Sequence, residues 1–429
     1  MTEGSPRTPA TSARATARLR TGTRNQLAWG PRSLDDAVPL DHPVRGIDAV
    51  IEKLDLEPFY LLVRSHHGGS GTWATDPKLK LKLWVYATSE GVASPRELAE
   101  LCLHHDAYRW LCGGVAIKYR CLSKFRMRSG RLFNDLVTKV LALLMQHDLV
   151  DLHRIAQDGT RIRASAGAAS FRRGATLDEL MSVARTHLEE VTREGYDPAL
   201  GARHQAARKR AAEDRVTRLE DALAQLPEVV AIKKKSGAKD AVARVSTTDP
   251  DARVMKMGDG GFRPAYNVQF ATTVDRARVI VGFDVTKAGS DRGQTTPMIA
   301  QVEGRTGTRP QEILVDGGYT KLDAIDEAAA LGVNVLAPIP KPRIEGADPH
   351  APRPGDSSAV VEWRARMATD EAKQAYKGRA AVAETVNAEA KDKRGLDRLR
   401  VRGLDKVTTV ISLFALTYNI LRYVAITTS

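Results

Sequence analysis

The chain has 429 residues, which is too long for one ordinary domain and suits two or three, each with its own core. Lys and Arg outnumber Asp and Glu by 65 to 52, so the formal net charge is +13 and a polyanion is the natural partner. Charge alone leaves DNA, RNA and an anionic membrane surface open. The three cysteines are too few for a disulfide framework, which favours a reducing cytoplasm and buried free thiols.

Residues 1–40 are predicted to form a disordered basic arm. Up to Arg32 this stretch carries six arginines against the single acid Glu3, among many Thr, Ala, Ser and Pro. Such a composition buries too little apolar surface to fold by itself.

Residues 41–150 are predicted to form a helical, DNA-binding domain. Asp76-Pro77 and Ser94-Pro95-Arg96-Glu97 each look like a helix start, because a capping side chain precedes a proline at the first helical position. The alternation of Lys and Leu over residues 78–83 has strand period, but the cap favours a helix.

A basic cluster, Lys124, Arg126 and Arg128, leads into an apolar run of helical period that starts at Leu132. A DNA-contacting module and a solvated basic helix packed on the rest of the protein explain this pattern equally well, because a clear helix-turn-helix signature is missing. Lys124, Arg126 and Arg128 are therefore predicted DNA contacts.

Residues 151–429 read as alternating strands and helices. A strand-like run ends at Asp158, and a helical hairpin is predicted to be inserted at about 170–240. A strand hairpin follows over 265–285, then a helix, a strand ending at Asp316, a helix, a strand over 333–338 and more helices. Without the insertion, this is the element order of a ribonuclease H-like fold. The predicted fold class is therefore α/β, a ribonuclease H-like mixed sheet preceded by an all-α domain.

The last helical segment, 407–426, is apolar enough to suggest a membrane span. Ser412, Asn419 and Arg422 fall on one face with Ala415, which instead predicts an amphipathic packing helix. We therefore expect no membrane partner.

Three acids stand where such a fold places its catalytic carboxylates. Asp158 and Asp316 close predicted strands in the right order, and Glu384 follows on a helix. Taken singly, each has a simpler explanation, since Asp-Gly pairs form turns and an isolated helical Glu is commonly solvated. Asp291 could also lie near this site, but capping the following helix is the simpler role.

The chain resembles the DDE transposases of bacterial insertion sequences, in the broad group of insertion sequences five and eleven-eighty-two. The resemblance rests on His42-Pro43-Val44-Arg45, on Asp158-Gly159-Thr160-Arg161-Ile162-Arg163-Ala164, on Tyr266-Asn267-Val268-Gln269, on Ala288-Gly289-Ser290-Asp291-Arg292-Gly293-Gln294 and on Val315-Asp316-Gly317-Gly318-Tyr319. The family's tyrosine, arginine, glutamate and lysine signature is matched by Tyr376, Arg379, Glu384 and Lys391. The step from Arg379 to Glu384 is one residue longer than the usual signature, and Glu389 is a rival acid.

This resemblance implies a metal-dependent enzyme that cuts DNA at the ends of its element and transfers the strands into target DNA. Asp158, Asp316 and Glu384 would be the catalytic acids and hold Mg²⁺, with Mn²⁺ able to substitute, while Tyr376, Arg379 and Lys391 would bind DNA phosphates. The implied partners are the terminal inverted repeats and target DNA, both double-stranded, with two protomers working as a homodimer on DNA. The expected location is the bacterial cytoplasm, at the nucleoid when bound to DNA. The alternatives are an inactive or domesticated copy that only binds DNA and, more distantly, a nuclease of the same fold with other substrates.

Overall fold

The computed structural model of the protein describes residues 33–63, 74–194, 201–235, 242–342 and 345–427. Most of the predicted basic arm, residues 1–32, lies outside these ranges.

The described residues before residue 150 form helices joined by loops, with no strand among them. The α-helices are α1 (Pro43–Glu52), α2 (Glu57–Tyr60), α3 (Pro77–Ser89), α4 (Pro95–His104), α5 (Asp106–Cys112), α6 (Tyr119–Arg128) and α7 (Gly130–Gln146). Both predicted starts are confirmed. The Asp76 carboxylate accepts a hydrogen bond from the Lys78 backbone N–H at 2.8 Å, and the Ser94 hydroxyl accepts one from the Glu97 N–H at 3.4 Å.

The strand-like alternation in α3 is overridden by the surroundings of the helix. Leu81, Leu83, Trp84 and Val85 are all fully buried, so this helix is covered on nearly every side and needs no single apolar stripe. The expectation of buried thiols is wrong for one cysteine: Cys102 and Cys112 are buried, but Cys121 is exposed.

Six of the described strands form one mixed sheet. They are β1 (Arg154–Arg163), β4 (Arg253–Lys256), β5 (Phe262–Thr273), β6 (Ile280–Thr286), β7 (Glu312–Leu314) and β8 (Asn334–Leu336). Strand β1 pairs antiparallel with β5 and parallel with β7, which is in turn parallel to β8. Strands β4 and β6 both run antiparallel to β5, on the edge away from β1. The sheet order is thus β6–β5–β1–β7–β8, with β4 beside the start of β5.

Strand β1 does not end at Asp158, as the sequence suggested. Asp158 pairs with Phe270 and Gly159 with Gln269, and the pairing continues to Arg163. The Asp-Gly pair looks like a turn locally, but β5 supplies backbone partners along this whole stretch, so the strand runs through it. Asp158 therefore lies in the middle of a central strand.

The insertion between β1 and β5 contains a short ladder and a helical hairpin. The ladder pairs β2 (Phe171–Arg172) with β3 (Val245–Ser246), and the hairpin consists of α8 (Gly174–Arg193) and α9 (Gly201–Lys235). Leu177, Leu219 and Ala222 are buried in a small core of its own. The end of α9 is held to the sheet, because Glu228 pairs with Arg253 of β4 at 3.1 Å and with Lys287 at 3.0 Å.

Helices cover the sheet and complete the chain. They are α10 (Thr295–Thr306), α11 (Leu322–Ala330), α12 (Ser358–Ala368), α13 (Asp370–Ala388) and α14 (Leu404–Thr427), and a π-helical turn, Glu389–Lys393, continues α13. Helix α14 packs against α7, α3 and β6, and one core joins the N-terminal helices to the sheet. It is long and apolar enough to cross a membrane, but 67% of its apolar window is buried inside the protein.

The amphipathic description of α14 is wrong, because its polar residues are buried too. The side chain of Asn419 accepts the Ile280 N–H at 2.9 Å and donates to the Ile280 carbonyl at 2.8 Å. These groups lie on the outer edge of β6, where no strand follows among the described residues. Gln301 of α10 accepts the Phe283 N–H of the same strand at 2.8 Å. Two side chains therefore occupy part of the free edge of β6.

Candidate active site

Asp158 lies where helix α13 crosses strand β1. One of its carboxylate oxygens accepts a hydrogen bond from Arg379 Nη2 at 2.9 Å, and the other accepts one from Asn387 Nδ2 at 2.8 Å. Burial raises the pKa of the Asp158 carboxyl, and the charge of Arg379 opposes that rise. The site thus holds a partly desolvated negative charge that needs a positive neighbour.

Asp316 reaches the same neighbour from the adjacent strand. It follows β7, whose parallel pairing with β1 places the two residues near each other. An Asp316 carboxylate oxygen lies 3.8 Å from Arg379 Nη2, and the other accepts the Gly318 backbone N–H at 2.7 Å. One guanidinium group therefore joins the two predicted catalytic aspartates.

Asp291 is a third acid at this site. It is buried and accepts hydrogen bonds from Asn267 Nδ2 and Gln269 Nε2, both at 2.8 Å, while Arg161 donates to its second oxygen at 2.8 Å. The expected helix-capping role is wrong, since the helix it precedes, α10, has no side-chain cap. Tertiary partners on β1 and β5 take up its carboxylate instead.

A layer of amides behind the acids fixes the orientation of Gln269. Tyr319 donates its hydroxyl to Gln269 Oε1, and Gln157 Nε2 donates to the same oxygen at 3.2 Å. With Oε1 occupied by donors, the Nε2 of Gln269 must face Asp291. Gly159 lies against this layer, where a Cβ atom would come within 2.4 Å of both Asp291 Oδ1 and Gln269 Nε2.

Tyr376 and Lys391 also lie in the field of the aspartates. Burial raises the pKa of the Tyr376 hydroxyl, with the charge of Arg379 opposing it. Burial lowers the pKa of the Lys391 ammonium, with Asp392 and Asp158 opposing it. Arg379 thus contacts both aspartates, Tyr376 lies in the field of both, and Lys391 lies in the field of Asp158.

Glu384 is placed on the exposed side of α13, and the described contacts join it to neither Asp158 nor Asp316. It stands between Arg379 and Asn387, which both contact Asp158, and residues three apart on a helix are neighbours. Glu389 lies 3.7 Å from Arg394, and its charge acts on Tyr418 of α14. Glu384 therefore lies on α13 between two residues that contact Asp158, whereas Glu389 lies near Arg394 and α14.

Among the three predicted DNA contacts on α6, Arg126 differs from the others. It is buried, its guanidinium lies 4.1 Å from the centre of the Trp84 ring, and it donates to the Ala93 carbonyl at 2.9 Å. Burial lowers its pKa to about 10. Lys124 and Arg128 are exposed and line a surface cavity. Arg126 is therefore a packing residue, and the other two remain free to meet a ligand.

Comparison with known proteins gives two family matches. Residues 32–128 match the family described as "Transposase domain (DUF772)", and residues 353–424 match the family described as "Transposase DDE domain". Both matches indicate an insertion-sequence DDE transposase. No curated protein and no solved structure matches it significantly.

The two matches cover different parts of the transposase, one near each end of the described residues. One spans helices α1 to α6, and the other spans α12 to α14 with Tyr376, Arg379, Glu384 and Lys391. Asp158 and Asp316 lie outside both matched ranges. Their place in the site rests on the sheet and on their contacts with Arg379.

DDE transposases use divalent metal ions, and the donor set of this transposase fits one in part. Asp158 and Asp316 offer oxygen ligands of the kind that Mg²⁺ prefers, and both already face one positive group. Within the described ranges, however, no three His, Cys, Asp or Glu residues are arranged to hold a metal ion. Two of the three expected ligands are thus together, whereas no described contact joins Glu384 to them.

Sequence reasoning missed Asn387 as a member of the transposase's site. It was not among the predicted site residues, yet it donates to Asp158 at 2.8 Å. Its spacing from Arg379 was a usable signal, because residues eight apart share a helix face.

Proposed function

We propose that this transposase catalyses metal-dependent cleavage of DNA at the ends of its element and transfer of the strands into target DNA. The observation that supports this most strongly is the convergence of Asp158 and Asp316 on Arg379, at 2.9 and 3.8 Å, in a chain of this family. Two carboxylates on neighbouring strands with one shared cation are expected of a site that handles phosphate and metal charge.

We further propose that the catalytic domain is ribonuclease H-like. Support comes from the strand order β6–β5–β1–β7–β8, in which the first three strands are antiparallel and the last three parallel. Asp158 on the central strand and Asp316 after its parallel neighbour suit that assignment.

In the proposed mechanism, Asp158, Asp316 and Glu384 are the ligands of Mg²⁺, with Mn²⁺ able to substitute. When bound, two such ions lower the pKa of an attacking hydroxyl and stabilise the leaving oxygen. Asn387 orients the Asp158 carboxylate through its 2.8 Å bond. Arg379 Nε is buried and has no hydrogen-bond partner among the described residues, so its side chain would have to shift for this donor to meet a phosphate oxygen.

DNA is the proposed partner, as terminal inverted repeats and as target. Arg379, Tyr376 and Lys391 would contact phosphates near the cut, and Lys124 and Arg128 would contact DNA farther away. We also propose a homodimer on DNA, because the two ends of one element must be processed together. The proposed location is the cytoplasm, with the protein at the nucleoid when it is bound to DNA.

A nicking and strand-transfer assay on element-end DNA, with Mg²⁺, Mn²⁺ or chelator, tests the proposal. Asp158→Asn and Asp316→Asn should each abolish both reactions, whereas full activity in either variant contradicts the assignment. Glu384→Gln and Glu389→Gln form a matched pair on one helix, and only the first should lose activity. End-specific binding without cleavage under any metal condition would support an inactive copy instead.

A further inference from the structure

Four arginines surround one cavity where the insertion meets the sheet. Arg172 comes from β2, Arg215 and Arg218 from α9, and Arg402 from the segment before α14. The cavity has a volume of about 420 Å³, and Thr247 and Thr248 add two hydroxyl groups to its wall. We call this feature the arginine cavity.

The four guanidinium groups form no ion pair with a carboxylate among the described residues. Arg172 donates to the Phe171 carbonyl at 3.5 Å and Arg402 to the Ser165 carbonyl at 3.2 Å. Neither they nor Arg215 and Arg218 form an ion pair with a described residue, and none of the residues lining the arginine cavity is acidic. Like charges gathered around one space repel each other unless an anion lies between them.

Acidic residues line a second cavity next to the arginine cavity. A neighbouring cavity, which also includes Arg218 and Arg402, is lined by Asp214, Asp221, Asp251 and Asp405. Burial raises the pKa of Asp249, and the charge of Arg402 is among the smaller effects that oppose this rise. The aspartates thus line the neighbouring cavity, whereas the polar groups that line the arginine cavity, beside Leu180 and Leu219, are four guanidinium groups and two hydroxyl groups.

A row of exposed arginines leads from the active-site strand to the arginine cavity. Arg398, Arg400 and Arg402 are exposed, whereas Leu399 is buried and Val401 packs against the core between them. The row begins beside β1, because the Leu399 N–H donates to the Arg163 carbonyl at 2.8 Å. The same strand carries Asp158.

We propose that the arginine cavity binds a backbone phosphate of the DNA substrate and so makes the insertion a second DNA-holding element. The proposal rests on the function proposed above. Arginine suits this task, because its planar fork donates two hydrogen bonds to a phosphate. The Thr248 hydroxyl is a donor of the kind that commonly contacts DNA phosphates, whereas the Thr247 hydroxyl already donates to the Ser170 carbonyl at 3.3 Å.

The geometry also sets the distance between this contact and the cut. Ser165, which accepts from Arg402, follows Asp158 by seven residues, and a strand rises about 3.3 Å per residue, so the separation is roughly 20 Å. A duplex rises about 3.4 Å per base pair. The bound phosphate should therefore lie roughly six base pairs from the cleaved bond.

DNA binding by the full chain in chelator tests the proposal apart from catalysis. Fluorescence anisotropy is measured with a labelled duplex carrying an element end, at salt from about 50 to about 200 mM. Arg215→Ala/Arg218→Ala should weaken binding and reduce the salt slope by about 1, since one phosphate contact contributes about 0.9. The matched control, Arg203→Ala/Arg210→Ala, removes the same charge from exposed positions of α9 and should leave the slope unchanged.

The other outcomes are also decisive. If wild type binds and the cavity variant has the same affinity and slope, the arginine cavity is not a DNA site, although the proposed function stands. The same holds if inorganic phosphate protects the protein from heat while the DNA slope is unchanged. If wild type neither binds nor cuts DNA, both proposals fail.

A milder variant covers the case in which the double variant does not fold. Arg215→Gln alters one exposed side chain and should reduce the slope by about 1. Phosphate ethylation on wild type should interfere roughly six base pairs from the cut, and this interference should disappear in Arg215→Gln. Interference that persists unchanged contradicts the proposal.

Discussion

Replacing Gly159 with alanine should disrupt the site from behind. The added Cβ would stand 2.4 Å from Asp291 Oδ1, 2.4 Å from Gln269 Nε2 and 3.0 Å from Asn267 Oδ1. Those atoms already hold one another, at 2.8 Å from Gln269 to Asp291 and 3.0 Å from Gln269 to Asn267. Since an ordinary contact needs about 3.5 Å, the neighbours must move by about 1 Å.

The size of the effect follows from that displacement. Overpacking costs about 1–3 kcal/mol, and the loss of a buried hydrogen bond to a charged acceptor adds about 1–3 kcal/mol. We expect Gly159→Ala to lower the free energy of unfolding by about 2–6 kcal/mol. Because Asp158 is the preceding residue, its misplacement by about 1 Å should reduce cleavage about 100-fold.

Gly317→Ala is the matched control beside the other aspartate. Its Cβ would meet only Pro338 Cγ, at 3.6 Å, which is an ordinary contact. Urea unfolding and the nicking assay measure both variants, and Gly317→Ala should stay within about 0.5 kcal/mol of wild type. If Gly159→Ala is as stable and active as this control, the close packing of the site is refuted.

Three further outcomes are expected. Mg²⁺ at ten times its dissociation constant should stabilise wild type by about 1.4 kcal/mol, a rise in the unfolding midpoint of about 2 °C by calorimetry. The rise should vanish in Asp158→Asn/Asp316→Asn, and an equal rise there would place the ion elsewhere. Burial raises the pKa of Asp249, so its charge destabilises the fold above that pKa and the penalty is lost as pH falls through it. Asp249→Asn should therefore raise the thermal midpoint at neutral pH but not in acid, and a pH-independent gain would contradict this. Asn419→Leu leaves both Ile280 backbone groups buried and unpaired and should cost at least about 2 kcal/mol in urea unfolding. Ser412→Ala should be nearly neutral, because the described bond of this hydroxyl is to Thr408 of the same helix. An equal loss of stability in Ser412→Ala and Asn419→Leu would count against the role of Asn419 at the edge of β6.

Local chemistry predicted the helix starts of the N-terminal region well. The caps at Asp76 and Ser94 depend on residues two or three positions away, so the sequence contains the whole interaction. Family matches over 32–128 and 353–424 agree with the resemblance read from the motifs.

Features that depend on distant partners could not be read the same way. Strand β1 continues through Asp158 because β5, about a hundred residues later, pairs with it. Asp291 was expected to cap a helix, but Asn267, Gln269 and Arg161 from other strands take its oxygens. For the same reason the polar residues of α14 did not mark a solvent face.

The structure supports the three predicted catalytic acids to different degrees. Asp158 and Asp316 lie on one guanidinium group, while Glu384 stays a prediction carried by its place between Arg379 and Asn387. Because Glu384 is exposed on its helix, bound DNA or metal would be needed to fix the direction of its side chain.

The side chains of Asn419 and Gln301 on β6 restrict how two copies of the transposase can meet. An open strand edge invites a second chain to extend the sheet, and proteins commonly block such edges to avoid uncontrolled association. The Ile280 and Phe283 groups that a visiting strand would need are already taken. A homodimer on DNA would therefore not form by continuing the sheet past β6, and its contacts would be made by side chains or by the DNA itself.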